Sequence, residues 1–234
     1  MKTTRAKILI ASLLTTALPM AGQSILTTEH ADIGVAYEDK SWNLHVHDET
    51  NDIEYAPGEV VLRVNPSALG FISASPAFRF LGNAGSPVWV LPSTQKADLL
   101  FLGFGAEEIV SGMFAGDTVS MRLRSVTGPG DFTVYDFDSF GNPSVIMSTR
   151  DGITDADRFQ AVPGAHSDLN WAFSQPGTYT VNFEASGTLV EDGLLSASGP
   201  VAYTFQVIPE PGTWALMVVG LGAGWVASRR RSAR

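Results

Sequence analysis

Cysteine is absent from this 234-residue chain. Its absence excludes disulfides, thiolate metal centres and cysteine nucleophiles together. Basic residues are also scarce in the body of the chain. Seven of the 15 Lys and Arg lie in the two terminal segments, which leaves 8 basic against 23 acidic residues between Gly22 and Val207, a net charge near −15. Such a surface repels phosphate backbones and anionic lipid, so nucleic-acid binding is excluded as a function class. The familiar catalytic signatures are missing as well. There is no Gly-x-Ser-x-Gly elbow, no His-Glu-x-x-His and no Gly-rich phosphate loop opening a helix. Histidine occurs only four times.

The termini carry addressing information. Residues 1–21 have the three parts of a secretory signal peptide: basic Lys2, Arg5 and Lys7, an apolar stretch from Ile8 to Leu18, and small residues around Ala21. Signal peptidase is the partner this predicts. At the other end, Thr213 to Ala227 is an uncharged run of 15 residues that predicts a short apolar transmembrane helix. At 1.5 Å per residue it reaches about 22 Å, short of the ~30 Å hydrocarbon core. Trp214 and Trp225 suit the interfacial belt, and Arg229, Arg230 and Arg231 suit the cytoplasmic side. Immediately before the run stands Pro209-Glu210-Pro211. Two prolines keep that segment out of helix and sheet, so it is offered as an extended peptide.

That order of Pro-Glu-Pro, short apolar helix, arginine cluster and chain end resembles the PEP-CTERM sorting signal of Gram-negative bacteria. The resemblance implies an exosortase that cuts near the Pro-Glu-Pro. The tail over 208–234 would then be a transient tether to the inner membrane, handing the protein to the cell surface or extracellular matrix.

Between the terminal segments, 22–207 reads as one all-β domain. ADIGVAYED and SWNLHVHDE alternate in character across a polar break and predict a hairpin. GEVVLRVNP, SPVWVLP, GDTVSMRLRSV, GDFTVYDF, PSVIMST, GTYTVNFEASGTL and GPVAYTFQVI are further strand-like runs bounded by turn residues. Many short strands at this spacing predict a single β-sandwich, immunoglobulin-like in layout. Ser93 to Glu108 is the one stretch expected to hold a helical turn.

His30-Ala-Asp32, Trp42-Asn-Leu-His45-Val-His47-Asp48, Phe80-Leu-Gly82, Val88-Trp89-Val90-Leu91-Pro92, Gly128-Pro129-Gly130 and Asn170-Trp171-Ala172-Phe173 together resemble the choice-of-anchor M domain, over about 29–207. The resemblance implies a surface protein whose common domain is joined to one of several anchors. It also implies an association, in actinobacterial members, with a metal-type ABC transporter. Where that family often has His-x-His-x-Asn-Trp, this chain has His166-Ser-Asp168-Leu-Asn170-Trp171.

All four histidines fall in these segments. His45 and His47 are two apart on a strand and share a face, a workable pair of ligands for zinc. Hairpin pairing brings His30 or Asp32 close to them, and Asp168 can replace an imidazole with a carboxylate oxygen. Asp48 and Asn170 are expected to orient the rings. The competing reading places His45 and His47 on the polar face of a half-exposed strand. Acidic turns holding Asp136, Asp138, Asp151, Asp155 and Asp157 raise calcium, although none fits an EF-hand loop. Trp42, Trp89, Trp171 and Phe173 offer stacking faces for carbohydrate, with Trp171 expected in the core. Two readings therefore stand. One is a non-enzymatic surface protein with a structural, adhesive or ligand-capture role, with extracellular polysaccharide as a partner. The alternative is a zinc-binding accessory of a metal transporter, built on His30, His45, His47, His166 and Asp168.

Overall fold

The computed structural model describes residues 22–210 and Gly212. The signal peptide expected over 1–21, Pro211, the expected apolar helix and the arginine cluster lie outside the described residues. No helix among the described residues is long and apolar enough to cross a membrane.

Strands dominate, numbered here in chain order. One sheet has the order β1 (Ser24–Leu26), β5 (Val60–Val64), β17 (Val201–Val207), β15 (Gly177–Thr188), β9 (Val119–Thr127) and β12 (Arg158–Ala161), with β16 (Leu195–Ala197) added beside β15. A second runs β11 (Pro143–Ser148), β10 (Phe132–Phe137), β14 (Asn170–Phe173), β7 (Pro87–Leu91) and β6 (Leu69–Phe71). The third runs β13 (His166–Asp168), β8 (Phe101–Gly105), β2 (His30–Glu38), β3 (Ser41–Asp48) and β4 (Ile53–Tyr55). The second and third sheets are joined through Leu169 between β13 and β14, whose N–H donates to the Leu102 carbonyl.

Period-2 patterning decides which face each strand buries. In β15, Tyr179, Val181, Phe183 and Ala185 are buried while Thr180, Asn182, Glu184 and Ser186 are partly exposed. The inward faces of all three sheets meet in one core. Phe183 and Phe205 of the first sheet pack against Phe104, Phe132, Trp171 and Phe173 of the other two, with ring centroids 5.3–6.4 Å apart. Each such side chain taken from water contributes on the order of 1.5–3 kcal/mol. Trp171 is fully buried, and its indole N–H donates to Leu102 O at 2.8 Å. Tyr179 closes a tyrosine corner, accepting from the Gln175 N–H and donating to the Gln175 carbonyl.

The all-β class expected from the sequence is what the described residues show. Their strand order departs from a seven-strand immunoglobulin layout, because β1–β5, β5–β17 and β2–β8 pair in parallel. The expected hairpin is present as β2–β3, with Asp32 opposite His47 and Gly34 opposite His45. The expected helical turn in 93–108 is corrected. That stretch holds β8, and the 3₁₀ turns lie instead at Pro57–Glu59, Pro66–Ala68, Pro76–Leu81 and Ala115–Asp117. Three of the four begin with proline, whose fixed φ suits the first helical position.

Candidate metal centre

The outer face of the third sheet is built by register. One row across it reads Asp168, Gly103, Asp32, His47 and Glu54; the next reads His166, Gly105, Gly34 and His45. Three glycines thus form the floor beneath the polar side chains. A Cβ at Gly34 would overlap the His45 ring, and one at Gly103 would overlap the Asp32 carboxylate and the Ser167 carbonyl. Glycine is what allows the acid and the ring to lie flat on the sheet. From the end of β8, Glu107 and Glu108 reach over this face.

The histidines and carboxylates fall into four groups, each with ligand-type atoms within 4.8 Å of one another: His30, His166 and Asp168; Asp32, Glu107 and His166; His47, Glu49 and Glu107; His45, Glu54 and Glu108. His166 and Glu107 each belong to two groups, so the first three are contiguous. His166 Nδ1 lies 3.1 Å from Glu107 Oε1 and 3.6 Å from Asp32 Oδ2. His30 Nε2 lies 3.2 Å from Asp168 Oδ1, a hydrogen bond, and its ring meets the His166 ring edge-on at 5.4 Å. His47 has Glu49 at 2.8 Å from Nδ1 and Asp52 at 3.6 Å from Nε2.

Asp32 is the centre of the arrangement. It is 1% exposed, and neither carboxylate oxygen has a hydrogen-bond partner. Buried polar atoms are ordinarily satisfied, and an orphaned carboxylate is costly to bury. Burial raises its carboxyl to about 6, against the pull of His166 and His30, which favour the charged form. Among the described residues, no Lys or Arg forms an ion pair with Asp32, Glu49, Glu54, Glu107, Glu108 or Asp168. Six carboxylates on one face are therefore balanced by imidazoles alone. Such a set of nitrogen and oxygen donors suits zinc, whose ligands stand roughly 3.4 Å apart in a tetrahedron.

All five residues singled out from the sequence lie on this one face, but not in one cluster. His30, His166 and Asp168 stand together, while His45 and His47 share the face yet fall in different groups. Asp48 and Asn170 do not orient the rings. Asp48 accepts from the Thr50 and Asn51 N–H groups and the Asn51 side chain, and Asn170 is spent on Ser93 and Tyr135 O. Glu49, Glu54, Glu107 and Glu108 were missed. Glycines at alternate positions of an apolar strand, Gly103 and Gly105, with two acids just beyond, were the signal available.

Three of the five turn aspartates have protein donors instead. Asp157 accepts from the Ser148 and Thr154 N–H groups, Asp155 pairs with Arg122, and hydrogen bonds from Asn142 lower the Asp138 carboxyl from its ordinary value. Of the aromatics offered to carbohydrate, Trp89, Trp171 and Phe173 are buried, and Trp42 stacks on Phe114. A cleft of about 520 Å³ lined by Tyr37, Val110, Met113 and Val190 shares no residue with the histidine face.

No curated protein and no solved structure matches this chain. Residues 207–231 match the family model described as the PEP-CTERM protein-sorting motif. The tail therefore carries a sorting signal, which marks an exported, exosortase-processed surface protein of Gram-negative type.

Proposed function

We propose that this surface protein binds a divalent first-row metal ion, zinc by its donor set, on the outer face of the third sheet. The ligands are Asp32, His166 and Glu107, with His47 and the His30–Asp168 pair beside them. The observation that carries this reading is Asp32, nearly fully buried with both oxygens unsatisfied and ringed by imidazoles. A cation supplies the missing partner and compensates the surplus of carboxylates. The likeness of 29–207 to the choice-of-anchor M domain supports presentation of the ion to an uptake system at the surface. No catalytic step is part of this reading.

The test is metal analysis of the full-length chain, purified in detergent without a polyhistidine tag. Neither segment outside the described residues contains His, Asp or Glu, so bound metal reports the domain. At least one equivalent of zinc is expected, with a rise in melting temperature on zinc addition. The Asp32→Asn/His166→Ala double variant is expected to lose one equivalent and the share of the thermal shift that goes with it. No bound zinc and no thermal shift would sink the metal reading, leaving a structural or adhesive role at the surface.

A further inference from the structure

The geometry points to a second divalent-cation position on the same face, formed by His45, Glu54 and Glu108. It goes beyond the centre on Asp32 because it shares no ligand with it. Its independent support is His45. That side chain is 4% exposed, and neither ring nitrogen has a hydrogen-bond partner. Glu108 Oε1 lies 3.0 Å from Nε2 but outside hydrogen-bond geometry, so the nearby carboxylate does not satisfy the ring nitrogen. A buried imidazole without a donor or acceptor on either nitrogen is unusual, and a ligand to Nε2 resolves it.

The fold explains how two positions arise. His45 and His47 are two residues apart on β3, which separates them by roughly 6–7 Å along the strand. Glu107 and Glu108 are adjacent at the exit of β8 and serve different histidines, Glu107 reaching His166 and Glu108 reaching His45. Gly34 is the space into which the His45 ring lies down. The donor set is one nitrogen and two carboxylates, with Glu54 and Glu108 exposed. Like the first centre, this set has one buried and two exposed ligands, and its two carboxylate oxygens admit manganese as well as zinc.

The experiment is a zinc titration of the metal-free full-length chain, with bound metal counted by mass spectrometry, alongside the Glu54→Gln/Glu108→Gln double variant. Both glutamates are exposed, so the variant keeps the core intact. Two equivalents are expected in the wild type and one in the variant, with the weaker equivalent lost or weakened at least tenfold. Mn²⁺ added to the protein holding one zinc is expected to give a bound-ion electron paramagnetic resonance signal that the variant lacks. One equivalent in the wild type that the variant keeps overturns the second position and leaves the first standing, whereas one equivalent that the variant loses overturns the first. Two equivalents in both proteins place the second ion elsewhere and also overturn it. Zero equivalents overturn both.

Discussion

Asp32 and His166 approach each other across β8, Oδ2 to Nδ1 at 3.6 Å, with Gly103 and Gly105 between their strands. A long parallel connection brings β2 beside β8, and a further antiparallel pairing adds β13. The two residues are 134 positions apart in the chain, yet the sheet brings the buried Asp32 carboxylate against the edge of the exposed His166 ring. A carboxylate with no donor costs stability wherever it is buried, and this one is retained at the centre of a histidine cluster. Residues kept at such a cost are the ones whose replacement separates stability from binding.

Asp32→Asn is expected to stabilise the metal-free protein at neutral pH by about 1–2 kcal/mol, since it removes a buried charge and leaves a buried amide. The same change abolishes zinc binding at the first centre. Urea denaturation with and without zinc checks both. A loss of stability in the metal-free variant would show that Asp32 has native partners after all.

The pH dependence carries a definite sign. An unfolded aspartate titrates near ~3.9, whereas burial holds Asp32 at about 6 in the folded chain. Between those values the native state binds more protons than the unfolded one. Metal-free stability from this group is therefore full below pH 4 and falls as pH rises through 6, by up to about 3 kcal/mol. Subtracting the Asp32→Asn profile from the wild-type profile isolates the slope. A flat difference between pH 4 and 7 contradicts the assignment.

Gly103→Ala is expected to push the new methyl into the Asp32 carboxylate and the Ser167 carbonyl. Overpacking of this kind costs about 1–3 kcal/mol. It also displaces Asp32, so zinc affinity is expected to fall at least tenfold while the far-ultraviolet spectrum stays β-type. Unchanged affinity would mean that the ion does not use Asp32.

Trp171→Phe tests the support beneath the site. It removes the indole donor to the Leu102 carbonyl, which keeps the Leu169 N–H, and removes ring volume packed on Phe104 and Phe205. A loss of about 1–3 kcal/mol is expected, from the lost hydrogen bond and the cavity together. Chemical denaturation measures it directly.

Replacing Pro209, Glu210 and Pro211 by alanine is expected to leave an unprocessed precursor in the membrane fraction, because the sorting motif spans 207–231. Cell fractionation and intact mass give the answer. The same processed mass in the same compartment as the wild type would show that sorting ignores this tripeptide.

The sequence by itself determined what depends on local order. Alternation along GTYTVNFEASGT predicts the inward row from Tyr179 to Ala185, and the polar break at Asp39-Lys40 predicts the β2–β3 hairpin. The shared face of His45 and His47 follows from the strand period, and the sorting tail from its three ordered parts. Ser93 to Glu108 misled because FLGFGAEEI mixes an apolar run with two glycines, and nothing local announces that it pairs in parallel with β2. Only the tertiary structure decided the membership of the site. Glu107 and Glu108 reach the histidines because β8 lies between β2 and β13, and His45 parts from His47 because each meets a different glutamate. Pairings between segments tens of residues apart are set by how three sheets bury one core, and no local pattern encodes which acid will face which imidazole.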